Sequence, residues 1–138
     1  MEEIKLSRAY KNGLSSSLSI VEELLIEIED LLNCENKNAV FIKWRNSLNA
    51  SQKEGIKKEI GEIREQIEDI KTKLLLPSEI LNNSVLISSR CGKMWEILCD
   101  LETRKLKRYG EIPKNLSDFL DPKIRKVVNS IEKILEIK

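Results

Sequence analysis

The chain has 138 residues, the length of one domain, and combines 41% hydrophobic with 34% charged residues and only five Gly and three Pro. That balance excludes a disordered or collagen-like chain, and 24 Lys and Arg against 23 Asp and Glu exclude a strong overall field toward nucleic acid or an anionic membrane. There is no histidine, which removes the commonest general base, the usual Ser-His and Cys-His pairs and the Glu-x-x-His ligands of di-iron bundles.

The first helix is carried by Leu14, Leu18, Val21, Leu25, Ile28 and Leu32, whose alternating spacings of four and three keep them on one face. Tyr10 extends the stripe, and Glu2 and Glu3 suit a first turn, so the helix is expected to begin near residue 3. The polar run Asn33–Asn38 ends it. Residues 38–49 hold Phe41, Trp44 and Leu48 at helical spacing. With no second strand candidate to pair the Val40–Ile42 run, a short helix is the expectation.

The second helix has the clearest pattern. Ser51 and Glu54 form a capping box, Ile56, Ile60, Ile63, Ile67, Ile70 and Leu74 repeat the spacing of four and three, and Pro77 forbids continuation. These signals predict a helix over about 52–76. Ile at both core positions of these heptads favours three or four strands over two in parallel coiled coils. The third helix starts at Ser78 or Ser84 and runs along Ile87, Cys91, Leu98 and Leu106 to Tyr109, with Gly110 and Pro113 as its stop. Asp121 as N-cap and Pro122 as first residue open the fourth, whose apolar face is Ile124, Val127 or Val128, Ile131 and Ile134 or Leu135.

The sequence therefore predicts an all-α protein: one domain over 1–138, an up-down-up-down four-helix bundle with a short extra helix between helices 1 and 2. Charge is graded along it. Residues 1–35 carry a net −5 and residues 103–138 a net +5, which suits either neighbouring first and last helices or head-to-tail contact between two copies.

Three cysteines, Cys34, Cys91 and Cys99, cannot all pair within one chain and have no C-x-x-C spacing, which fits a reducing compartment. The opening MEEIK places acid where a signal peptide carries base. A cytoplasmic protein without a membrane partner is expected. No catalytic residue, cofactor or metal ligand set is assigned, although Glu59 with Glu62, and Glu96 with Asp100, have the spacing that some helical bundles use to hold Mg²⁺.

Three functional readings remain. Ile20 and Ile26 project away from the first helix's seam and predict a protein interface, either a homodimer or a docked partner. Arg104, Lys105, Lys107 and Arg108 concentrate charge at the end of the third helix, where they suit its macrodipole or a weak, salt-dependent nucleic-acid contact. Ser88, Arg90, Lys93 and Trp95 frame a candidate small-ligand site. Against that, Ser84, Ser88, Cys91 and Gly92 on the third helix and Ser15, Ser16, Ser17 and Ser19 on the first are the small residues that close helix packing needs. Packing is the expected use of both stretches.

Overall fold

The computed structural model describes residues 3–34 and 37–137. It is mostly helical and divides into two compact units, residues 1–79 and 80–138.

The first unit is a pair of 25-residue helices, α1 (Arg8–Leu32) and α2 (Ala50–Leu74). They run antiparallel: Glu29 late in α1 meets Arg64, whereas Ser15 early in α1 reaches Pro77 beyond the end of α2. Leu25, Leu32 and Ile60 form the buried centre, flanked by Leu48, Ile56 and Ile67. The regular apolar spacing is what aligns these residues along the pair.

α1 starts later than its apolar stripe suggests. Ser7 caps it by accepting the Tyr10 N–H at 3.2 Å, which fixes the first turn at Arg8; Glu3 precedes the helix, and Glu2 lies outside the described residues. α2 starts one cap earlier than expected. Asn49 accepts the Gln52 N–H at 2.8 Å while the Gln52 side chain accepts the Asn49 N–H at 2.9 Å, a complete capping box that leaves Ser51 inside the helix.

At the end of α2, Leu75 takes the left-handed conformation (φ 53°, ψ 49°), a position normally given to Gly or Asn. Bonds made by the next residues offset that strain. Leu76 is buried and its N–H reaches the Lys71 carbonyl at 3.0 Å. The Ser15 hydroxyl donates to the Pro77 carbonyl at 2.5 Å and the Ser16 hydroxyl to Glu79 Oε1 at 2.8 Å. The serine stretch of α1 is thus occupied by the chain leaving α2.

The short helix expected over 38–49 is absent. A minimal antiparallel ribbon stands there instead, with β1 (Lys37–Asn38) pairing β2 (Lys43–Trp44) in the register Lys37 to Trp44 and Asn38 to Lys43. The partner strand missing from the sequence pattern is polar Lys37–Asn38, which no hydrophobic alternation marks. The Ala39 N–H closes the turn on the Ile42 carbonyl at 2.8 Å.

The second unit pairs α3 (Asn83–Cys99) with α4 (Leu116–Ile137), joined through a 3₁₀ helix, Thr103–Tyr109. Cys91 and Ile131 are its buried apolar residues. α3 continues through Gly92 but stops at Cys99, so the expected single helix to Tyr109 is broken at 100–102. Gly110, at φ 125°, ends the 3₁₀ segment as its position suggested. α4 begins at Leu116, five residues before the expected cap, and carries Pro122 inside it. Asp121 caps something else: its Oδ1 accepts the Thr103 N–H at 3.1 Å and the Thr103 hydroxyl at 2.7 Å. The first turn of the 3₁₀ helix is therefore satisfied from α4.

Candidate functional site

The two long sides of the α1–α2 pair differ. One is latched: Arg64 grips Glu29 with both terminal nitrogens, Nη1 to Oε2 at 2.7 Å and Nη2 to Oε1. The bidentate bond from Arg64 holds the Glu29 carboxyl below its ordinary range against the opposing effect of desolvation, and it raises the Arg64 guanidinium in turn.

The other side is open. A groove of about 480 Å³ runs between the helices, floored by Leu25, Ile28, Ile56, Ile60 and Ile63, with Leu48 closing one end. Gly55 widens it, because a Cβ built there meets nothing within 4 Å. Val21 and Ile28 on α1, and Ile63 and Ile70 on α2, are all seam residues and all remain exposed.

α1 also carries a second apolar stripe. Ile20, Leu24 and Leu31 recur at four and seven residues and so share one face of α1, and all three are exposed. Ile20 is 58% and Ile26 52% exposed, but six helical residues separate them by about 120° around the axis. The structure thus joins Ile20 to Leu24 and Leu31 and leaves Ile26 on a different face. The direction from which α2 packs is what leaves Leu24 and Leu31 on the surface.

The ribbon contributes the most exposed apolar residues. Val40 is 93% and Phe41 98% exposed, with Ile42 beside them. Gly, Asn, Asp and Pro are the residues that turn geometry favours, so nothing local calls for Val and Phe at this tip.

The remaining sequence candidates lie in the second unit. Trp95 lines a cleft of about 430 Å³ with Leu98, Cys99, Glu102, Arg104 and Asp121, but Ser88, Arg90 and Lys93 do not. Ser88 donates its hydroxyl to the Ser84 carbonyl at 3.0 Å, and the Arg90 and Lys93 side chains are exposed on α3. The charges of the cleft are answered from within. Arg104 Nε donates to Glu102 at 2.7 Å, and the Thr103 hydroxyl and N–H hold the Asp121 carboxyl below its ordinary range, with Arg125 adding to the effect. Lys105 lies 3.9 Å from Asp100, and Arg108 lies over the Tyr109 ring at 5.0 Å.

Among the described residues no group of three or more Cys, Asp or Glu side chains is placed to hold a metal, no buried side-chain polar atom lacks a partner, and no helix is long and apolar enough to cross a membrane. No family model, curated protein or solved structure matches the chain.

Proposed function

We propose that the protein is a non-catalytic binding module that acts by associating with another protein or with itself through α1. One observation carries the reading: α1 exposes Ile20, Leu24 and Leu31 on one face, and Ile28 and Ile63, which line the open groove between α1 and α2, are exposed as well. Contiguous apolar surface of this kind marks interaction sites, where scattered exposed hydrophobes do not. A cytoplasmic setting belongs to the same proposal, supported by an odd number of cysteines and the lack of any C-x-x-C spacing among them.

Light scattering at low and high salt tests it. A mass above the monomer at both salts, lost on Ile20→Glu with Leu24→Glu, is the expected result for self-association. For a heterologous partner, the same double variant abolishes capture while Ile26→Glu leaves it intact. If neither the mass nor any capture responds to the double variant, the reading fails.

A second use of the apolar face is the up-down-up-down four-helix bundle anticipated from the seams. Its support is the Ile-rich seam of α2, with Ile63 and Ile70 exposed, since such heptads go with more than two strands. A strictly monomeric chain destabilised by Ile63→Glu would favour it.

A further inference from the structure

The sequence places opposite charges at the ribbon end of the first unit. From Glu22 to Asp30, α1 carries five carboxylates, of which Glu29 is taken by Arg64, and residues 12–36 contain no Lys or Arg. From residue 37 to residue 53 the chain carries Lys37, Lys43, Arg45 and Lys53 and no Asp or Glu. The apolar features are equally paired. The tip offers Val40 and Phe41 almost wholly in water, and the groove offers a nearly apolar hollow of about 480 Å³ that begins at Leu48 and Gln52, a few residues along the chain from the tip.

An isologous two-fold contact requires one patch to hold both halves of each interaction, since residue i meets j and j meets i. This end of the unit meets that requirement: apolar tip and apolar hollow, cationic ribbon and anionic helix. We infer that two copies of this chain associate by reciprocal exchange, the Val40–Phe41 tip of each entering the α1–α2 groove of the other while Lys43 and Arg45 face the partner's α1 carboxylates. The inference rests on the self-association branch of the proposed function and names the contact that makes it. A lipid surface is the other chemistry an apolar tip with cationic flanks would fit. The four α1 carboxylates outside the Arg64 latch oppose approach to an anionic bilayer, and they suit a second copy.

Phe41→Asp removes the tip and Gly55→Trp fills the groove. Both sites are open in the chain, one by exposure and the other by the free space around Gly55, so each variant should keep the wild-type circular dichroism. Each is expected to weaken the dimer at least ~10-fold in sedimentation equilibrium, since a two-fold interface loses the substituted contact once from each copy. The two variants mixed should then recover part of the association, because one of the two contacts is intact, the tip of the Gly55→Trp copy in the groove of the Phe41→Asp copy. That recovery is the result a merely structural role cannot produce.

If Phe41→Asp dimerises as the wild type does while Ile20→Glu with Leu24→Glu does not, self-association through α1 stands and the exchange falls. A wild-type chain that is monomeric at every concentration reached overturns the exchange and leaves only the heterologous branch of the proposed function. Flotation of a monomeric wild type with phosphatidylserine vesicles, lost in Phe41→Asp, overturns it in favour of lipid.

Discussion

The two units are held by different physics. In the first, two 25-residue helices with heptad-regular Leu and Ile bury Leu25, Leu32 and Ile60, and polar groups sit at its ends and along one latched side. In the second, α3 has 17 residues, the connection to α4 passes through a 3₁₀ helix, and α4 contains a proline. There Cys91 and Ile131 are buried between less regular helices, and a long-range cap, Asp121 on Thr103, ties the 3₁₀ helix to α4. The difference teaches where surface is left over. A regular seam shared by only two helices exposes part of every heptad, and that surplus is the apolar face of α1 and its groove; the irregular unit ends in a cleft whose charges satisfy one another.

The largest effect should come from the centre of the regular unit. Ile60→Ala removes a residue 4% exposed between Leu25 and Leu32 and is expected to cost about 2–5 kcal/mol. Hydrogen exchange should accelerate in α1 and α2; little change there would mean that burial at Ile60 does not hold the pair.

In the irregular unit the sign should reverse. Proline is about 3 kcal/mol less favourable than Ala inside a helix, and Pro122 lies inside α4, so Pro122→Ala should raise the urea midpoint. A lowered midpoint would restore Pro122 to a helix start and make Asp121 a local cap after all.

Asn49→Ala breaks the capping box of α2 and should cost about 1 kcal/mol, whereas Ser51→Ala, one residue inside the helix, should cost less. Equal losses in chemical denaturation would move the start of α2 back to the Ser51 box.

The smallest effect is the latch. Because the folded-state value of Glu29 is lowered, its bond to Arg64 stabilises at neutral pH and is lost as the pH falls through the ordinary carboxylate range and then through Glu29's own lower value. Glu29→Gln should flatten that acid limb slightly, and 1 M salt should do the same, since the pair is exposed to solvent on one side. An unchanged acid limb would assign the loss to other carboxylates, Asp121 first among them.

Legibility tracked local periodicity. The bodies of α1 and α2 were readable because each apolar residue reports its own phase, and Gly110 was readable as a stop because its conformation suits glycine. The ribbon was missed because β1 is Lys37–Asn38, a pair with no hydrophobic signal, and the start of α4 was missed because Asp121–Pro122 imitates a helix start while the carboxylate is spent on Thr103, 18 residues earlier. Of the candidate interface, Ile20 and Ile26 stood out as off-seam residues and their spacing alone puts them on different faces; that Ile20, Leu24 and Leu31 all stay exposed is what the packing of α2 decided.

By itself the sequence determined that this chain is largely helical, where its longest apolar stripes lie, and that histidine chemistry is absent, because composition and periodicity act within a few residues. The tertiary structure decided which half of each seam stays in water, which serines and carboxylates are consumed by packing, and that Phe41 stands at the tip of a ribbon. Those are outcomes of contacts between segments far apart in the chain, and no local pattern encodes the direction from which a neighbour arrives.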